Sequence, residues 1–261
     1  MPALNNIDYA QVARGYDRSR RIEPAIVDAL LRGLHSLGAL SILELGAGTG
    51  NYTSVLVAGG FSVIALDRAP AMVTIGAPKV HAAWMLADAA SLPFHRDCVD
   101  AVATVNVLHH LPELATTLAE CRRVARAGAV LQAVVRENLA TLWYRNYFPE
   151  IDQVLLPLHP TLGGLLTTLL RCGFSHVTTT KVVYSGDCDL TFEAARTRPH
   201  LLFNADFRGA TSGFRRLDAS CIARGLADLK RDVKIGAFAE IAARFDAAHA
   251  DAGDCVVLTA R

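Results

Sequence analysis

A cluster of three glycines directly after a short apolar segment is the sequence feature that most limits how this chain can fold. The segment 41–45 (SILEL) has the composition of a buried strand, and Gly46, Gly48 and Gly50 follow at once. Glycine has no side chain, so the backbone can turn tightly and a ligand can approach the start of the next helix. The pattern predicts a strand, a ligand-binding turn and a helix in direct succession.

Segments with strand-like and helix-like patterns alternate from about residue 22 to residue 135. Apolar residues recur at helical spacing after Pro24, and short apolar runs separated by polar loops follow. Such alternation is typical of an α/β fold around a parallel sheet. We predict strands over 41–45, 61–66, 83–87, 101–105, 130–135, 176–184 and 254–260, and helices over 51–58, 70–75, 114–125, 217–230 and 237–247.

Polar residues follow three of these predicted strands, namely Asp67, Asp88 and Asn106. In an open parallel sheet, the carboxyl ends of the strands form the edge at which ligands bind. Asp67 lies 17 residues after Gly50, where its carboxylate can accept hydrogen bonds from both hydroxyls of a ribose. The spacing therefore indicates a cofactor that contains a nucleoside.

A dinucleotide cofactor fits the spacing poorly. The dinucleotide pattern G-x-G-x-x-G would place a glycine at position 51, where this chain has Asn51. The Tyr-x-x-x-Lys pair of short-chain dehydrogenases is also absent, since the residues four positions before the four lysines are Ile75, Val177, Leu226 and Lys230.

Composition excludes several other classes of protein. The 261 residues are 52% hydrophobic and carry a net charge of +1, so the chain can form a core but lacks the basic surface of a nucleic-acid partner. Glycines and prolines interrupt the longest uncharged stretches, and the N-terminal sequence has no leader pattern. The six cysteines are scattered, without disulfide or zinc spacing. We expect a cytoplasmic protein with no metal and no membrane or nucleic-acid partner.

Four motifs, in order and at suitable spacing, resemble the class I S-adenosylmethionine-dependent methyltransferases, especially the group with quinone-biosynthesis and small-molecule enzymes. They are ILELGAGTGNYT (42–53), VIALDRAPAMV (63–73), LADAASLPF (86–94) and VNVLHHL (105–111). The resemblance covers about residues 9–136. It implies a Rossmann-like, doubly wound, mostly parallel seven-stranded sheet with an antiparallel last strand, plus helical insertions that cover the substrate.

On this basis we divide the chain into three parts of one structural domain. Residues 1–40 would form an N-terminal helical lid segment, and residues 41–136 the core that binds S-adenosylmethionine. Residues 137–261 would supply the rest of the sheet and two substrate-binding insertions, at about 137–175 and 185–250.

The resemblance also implies the cofactor, S-adenosylmethionine with S-adenosylhomocysteine as its product, and the residues that contact it. Asp67 would bind the ribose hydroxyls, Asp88 the adenine amine, and Asn106 would lie beside the methionine. Tyr16 would cover the cofactor and Arg20 would bind its carboxylate, for which a bidentate guanidinium is suited. The remaining implied contacts are Gly46, Ala47, Gly48, Gly50, Arg68, Met72 and Ala89.

Candidate catalytic residues follow the fourth predicted strand. His109 and His110 lie at the ligand edge, where an imidazole could take a proton from the acceptor. The same pair could instead shape the turn into the next helix. His159 and His200 show no pattern from which a role can be inferred.

Candidate substrate-binding residues follow the core. Trp143, Tyr144 and Tyr147 could wall an apolar acceptor pocket, although aromatic residues at helical spacing also form ordinary cores. We therefore expect methyl transfer by in-line displacement to a small, largely apolar organic acceptor. A non-catalytic sensor or partner subunit, or a protein or RNA methyltransferase, stays open as an alternative. The sequence does not identify the acceptor, the atom that is methylated (carbon, nitrogen or oxygen) or the need for a base. It also leaves open the oligomeric state, for which a homodimer is possible.

Overall fold

A seven-stranded sheet forms the scaffold of the computed structural model, which describes residues 21–185, 194–211 and 213–261. The strands lie in the order β3-β2-β1-β4-β5-β7-β6. Their bounds are β1 Ser41–Leu45, β2 Ser62–Asp67, β3 Ala83–Leu86, β4 Val99–Thr104, β5 Ala125–Ala133, β6 Val177–Val182 and β7 Cys255–Ala260.

Strand direction confirms the predicted fold. Strands β1 to β5 pair in parallel, whereas β7 pairs antiparallel with both β5 and β6. The chain runs outward from β1 to β3 and then returns to the other side of β1 with β4. This reversal creates a switch point between β1 and β4, where the carboxyl ends of the strands leave a crevice for a ligand.

Helices cover the faces of the sheet and extend beyond it. The longer helices are α1 Pro24–Ser36, α2 Asn51–Ala58, α3 Pro70–Gly76, α4 Leu114–Val124, α7 Leu162–Arg171, α10 Ala219–Ile235 and α11 Ala237–Ala252. The shorter ones are α5 Arg136–Leu139, α6 Ile151–Leu155, α8 Ala194–Thr197 and α9 Ala205–Ala210. In the described ranges, no helix combines the length and the apolar character needed to cross a membrane.

Two apolar cores lie on opposite faces of the sheet, because successive side chains of a strand point to opposite sides. In β4, Ala101 and Ala103 belong to the core beneath α1, whereas Val102 belongs to the core beneath α4 and α7. Helix α1 lies within the predicted lid segment 1–40 and packs on the sheet. Residues 1–20 lie outside the described residues.

A third apolar core lies in the helices that follow β5, which form a cap. It contains the buried aromatic side chains of Trp143, Tyr144, Tyr147, Phe148 and Phe214. Several of these rings meet edge to face, for example Phe148 with Phe214 at a centroid distance of 5.0 Å, an arrangement that aromatic quadrupoles favour. Parts of the two regions predicted as insertions, 137–175 and the described part of 185–250, build the cap, whereas α7 packs on the sheet.

Strand boundaries differ from prediction mainly at β5. The predicted strand 130–135 begins at Ala125 and ends at Ala133 in the structure. The pairing of β4 with β5 shifts register between Val99 and Ala101, and Gly128 has a φ of 143°. In the sequence, Gly128 looks like a residue that ends a strand, although the structure uses it at an irregular position within β5. The predicted strand therefore began too late, at residue 130.

Gly225 on α10 allows this helix to approach the third core closely. A Cβ atom at Gly225 would lie 2.3 Å from Cε1 of Phe148 and 2.6 Å from the carbonyl oxygen of Tyr147. We predict that Gly225→Ala lowers the free energy of unfolding by about 1–3 kcal/mol through overpacking, as measured by urea denaturation.

Gly163 offers a matched control, because it also lies in a helix but a Cβ atom there would meet nothing within 4 Å. Gly163→Ala should leave stability unchanged or raise it by up to about 1 kcal/mol. Equal stability of the two variants would contradict the close packing of α10.

Candidate active site

The glycine turn after β1 has the backbone conformation that the sequence predicts. Gly46, Gly48 and Gly50 have φ values of 67°, 57° and 85°, in the left-handed region that favours glycine. A Cβ atom at Gly46 would lie 2.4 Å from Cγ2 of Val107, in the segment after β4. The absence of side chains therefore lets the turn approach the neighbouring loop at the switch point.

Asp67, the last residue of β2, joins this turn to the next strand. Its Oδ2 accepts a hydrogen bond of 2.8 Å from the Gly48 amide, and its Oδ1 accepts one of 2.8 Å from the Ala69 amide. The Ala47 amide also donates to the carbonyl oxygen of Leu66, at 2.9 Å. Asp67 is 8% exposed. Each carboxylate oxygen keeps further lone-pair capacity, so both could still accept hydroxyl donors.

A second carboxyl group, Glu44 on β1, lies buried behind the turn. The Thr53 hydroxyl on α2 donates a hydrogen bond of 2.6 Å to its Oε2. Burial raises the pKa of Glu44 to about 8; the Thr53 bond opposes this rise, and the nearby Asp67 charge adds to it. Glu44 is therefore mostly protonated at neutral pH.

Asp88 and its neighbours extend the site past β2 and β3. Asp88 is exposed, and its Oδ1 accepts a hydrogen bond of 2.9 Å from the Ala90 amide. Ala89 and Met72 are buried, whereas Arg68 is exposed. The structure thus brings these predicted residues to the same edge of the sheet as Asp67, on the side of β3.

Asn106 lies on the opposite side of the glycine turn, after β4. Its φ of 58° is in the left-handed region, which asparagine adopts more readily than most residues. Its amide donates a hydrogen bond of 2.7 Å to Oε1 of Gln132, a buried residue on β5. Within the described ranges, Nε2 of Gln132 has no hydrogen-bond partner.

Three histidine rings meet just beyond Asn106. His109 and His110 lie in a 3₁₀ turn over Leu108–His110, with ring centroids 4.0 Å apart. The His109 ring also stacks on His159, at a centroid distance of 4.9 Å and an interplanar angle of 10°. The structure therefore brings both predicted catalytic residues to the ligand edge and adds a third imidazole.

The predicted substrate-binding aromatic residues lie in the cap core. The indole Nε1 of Trp143 donates a hydrogen bond of 3.0 Å to the carbonyl oxygen of Arg196, and the Tyr147 hydroxyl donates one of 3.2 Å to Oδ2 of Asp232. Tyr144 is also buried in this core. Their contact with an acceptor stays a prediction. Tyr16 and Arg20 lie outside the described residues.

Sequence reasoning missed Glu44, Gln132 and His159. Glu44 stands inside the quoted motif 42–53, so its position in a buried strand next to the turn was a usable signal. Gln132 is a polar residue inside a predicted apolar strand, which also marks a position with a specific partner. His159 offered no local signal, since its contact with His109 depends on how the cap folds back.

This arrangement fits a nucleoside-containing cofactor. The glycine turn offers an approach to the start of α2, and Asp67 is held at the end of β2 by two amides. In the part of the chain that the structure describes, no group of three or more His, Cys, Asp and Glu residues is arranged to hold a metal ion.

Comparison with known proteins finds a methyltransferase domain in this chain. A family model for a methyltransferase domain matches residues 43–133. An uncharacterized methyltransferase of Mycobacterium tuberculosis is 31% identical over 164 residues, which are 58% of this chain and span 65% of that protein's length. Residues 43–133 of this chain therefore contain a methyltransferase domain.

Two further proteins match over most of their length. A demethylmenaquinone methyltransferase of Beutenbergia cavernae is 29% identical over 227 residues, or 82% of this chain and 86% of that protein. A crystal structure from Anabaena variabilis, described as a methyltransferase of an antibiotic biosynthesis pathway, superposes with a TM-score of 0.75. It is 27% identical, with 92% of this chain and 98% of that chain covered. The family likeness therefore extends beyond the methyltransferase domain into the cap.

Buried Glu44 makes stability depend on pH. Its pKa is about 8 in the folded protein and 4.5 in the unfolded reference, so between these values the folded state binds more protons. Its contribution is fully present below pH 4.5 and is lost as the pH rises through 8. We predict that Glu44→Gln removes this loss. The difference in unfolding free energy between variant and wild type should grow by up to about 1.4 kcal/mol per pH unit across this window.

Urea denaturation at several pH values between 5 and 8 measures this difference. Glu240→Gln is the control, because it removes an exposed carboxyl group on α11. Parallel pH curves for wild type and Glu44→Gln would contradict the raised pKa of Glu44.

Proposed function

We propose that this protein transfers a methyl group from S-adenosylmethionine to a small, largely apolar organic acceptor. The observation that supports this most is the glycine turn tied to Asp67 by the hydrogen bond between the Gly48 amide and Oδ2. The bond holds the carboxylate that we assign to the ribose beside a turn that a ligand can approach. The methyltransferase domain matched over residues 43–133 agrees with this assignment.

Residues on both sides of the switch point would hold the cofactor. We assign the ribose to Asp67 and the methionine to the glycine turn and Asn106. Asp88, Ala89, Arg68 and Met72 would surround the adenine, because they lie past β2 and β3. The bound cofactor would supply a methyl group on a positively charged sulfonium, which an acceptor attacks in line.

The acceptor would lie beyond β4 and β5, under the cap. His109 and His110 would face it there, and either imidazole could take a proton that the acceptor loses when it becomes a nucleophile. An acceptor that is already anionic would need no such base. The relative from Beutenbergia cavernae is named for demethylmenaquinone, a quinone, and a neutral, ring-containing acceptor fits the present site.

Calorimetric titration with S-adenosylmethionine, S-adenosylhomocysteine and NADH tests the cofactor assignment. We expect the first two to bind and NADH not to bind. Binding of NADH alone would overturn the proposal. A second assay should measure formation of S-adenosylhomocysteine with 1,4-naphthohydroquinone as a probe acceptor. Tight cofactor binding without turnover on this and other neutral probes would favour the non-catalytic alternative.

Asp67→Ala tests the ribose assignment. Loss of charge-assisted hydrogen bonds should weaken S-adenosylhomocysteine binding by about 1–3 kcal/mol, or about 5- to 150-fold in Kd. Calorimetric titration of the purified variant measures this change.

Asp28→Ala is the matched control, because Asp28 is an exposed aspartate on α1 that pairs with Arg32 on the same helix. It should bind the product like wild type. Thermal denaturation must show that Asp67→Ala is folded, since Asp67 also accepts two backbone hydrogen bonds. Wild-type affinity in a folded Asp67→Ala would rule out the ribose assignment.

A further inference from the structure

His159 lies in a turn that is held firmly to the end of β5. Nε of Arg136 donates hydrogen bonds to the carbonyl oxygens of Leu156, at 2.9 Å, and His159, at 2.8 Å. The Arg136 amide donates to the carbonyl oxygen of Pro160 at 3.0 Å. Glu137 accepts a hydrogen bond of 3.1 Å from the Leu162 amide. The first two residues of α5 thus fix both ends of the turn before α7.

This attachment places the His159 ring at the ligand edge of the sheet. Arg136 follows β5 and His109 follows β4. His159 therefore contacts the segments that come after two neighbouring parallel strands. His109 is half-buried and lies in a short 3₁₀ turn. His109 is therefore partly accessible to a ligand at this edge.

His159 is uncharged at neutral pH. Burial lowers its pKa to about 4, and the positive charge of Arg136 acts in the same direction. His109, from the segment after β4, stacks on its ring, and the charge that acts on it is that of Arg136, at the start of α5. A neutral imidazole has one N–H donor and one nitrogen that accepts.

One nitrogen of this neutral ring has no partner. Nδ1 of His159 is shielded from water and has no hydrogen-bond partner in the described part of the chain, while the residue is only 7% exposed. A buried nitrogen without a partner destabilises the fold, and phenylalanine could occupy a stacked position without this loss. The nitrogen therefore points to a partner that enters the site.

We propose that His159 binds the methyl acceptor, by accepting at Nδ1 a hydrogen bond from an O–H or N–H group of a neutral ring compound that lies against His109. This inference rests on the proposed function. It requires the ring proton of His159 to be on Nε2. A neutral imidazole offers no charge to a carboxylate, so a phenol or hydroquinone is the class of acceptor that fits.

Two variants separate the ring nitrogen from the ring itself. His159→Phe keeps an aromatic ring that can stack on His109 but removes Nδ1. His159→Asn keeps a polar atom near the position of Nδ1 but removes the ring. The probes are phenol, which donates a hydrogen bond, and anisole, which has the same ring without the donor. Both are titrated in the presence of S-adenosylhomocysteine, with binding followed by NMR of protein labelled with ¹⁵N at histidine.

We expect phenol to bind His159→Phe about tenfold more weakly than wild type, through loss of one hydrogen bond, and to bind His159→Asn nearly as well as wild type. Anisole should bind wild type and His159→Phe equally. In wild type, the His159 spectrum should show a neutral ring protonated on Nε2, and phenol should shift its Nδ1 resonance. This last measurement needs no variant, so it applies even where a variant does not fold.

Several results would overturn the inference. One is equal phenol affinity in wild type and His159→Phe, and another is loss of phenol binding in His159→Asn alone. The others are an Nδ1 resonance of His159 that phenol does not shift, and a wild-type complex that does not bind phenol. Loss of phenol binding in His159→Asn alone would mean that His159 acts by stacking its ring and not by accepting a hydrogen bond. Failure of wild type to bind S-adenosylhomocysteine would instead overturn the proposed function, which keeps the two conclusions distinct.

Discussion

The hydrogen bond from the Gly48 amide to the Asp67 carboxylate is the contact on which the site depends. It joins the turn after β1 to the end of β2 beside the switch point of the sheet. The left-handed backbone of the glycines makes this geometry accessible, and close approach to Val107 brings in the segment after β4. Because parallel strands end at one edge, a single turn aligns Asp67 with Asn106 and the histidine rings.

Burial controls the charges around this edge. Glu44 behind the glycine turn and His159 in the turn before α7 both favour their neutral forms, because a low-dielectric interior disfavours charge. The Asp67 oxygens, each bonded to one backbone amide, can still accept from hydroxyl donors. Transfer of a methyl group from a sulfonium to a neutral acceptor disperses positive charge, so surroundings with few charges would suit the reaction proposed here.

Sequence patterns predicted the sheet well because each strand and each turn is encoded locally. β1 and α2 have the predicted bounds, and Asp67 and Asn106 lie at the predicted edge. Prediction was weaker where distant segments decide the outcome. β5 begins earlier than predicted because Gly128 occupies an irregular position beside β7, and His159 gave no signal because its partner is a residue after a different strand.

The sequence by itself determined the succession of strand, glycine turn, helix and acidic strand end, because periodicity and glycine conformation act within a few residues. Only the tertiary structure decided that Arg136 and Glu137 hold the turn of His159, and that Trp143, Tyr144 and Tyr147 pack into a separate cap core. It also decided which ionisable groups are neutral. Those properties depend on burial by segments far apart in the chain, which no local pattern encodes.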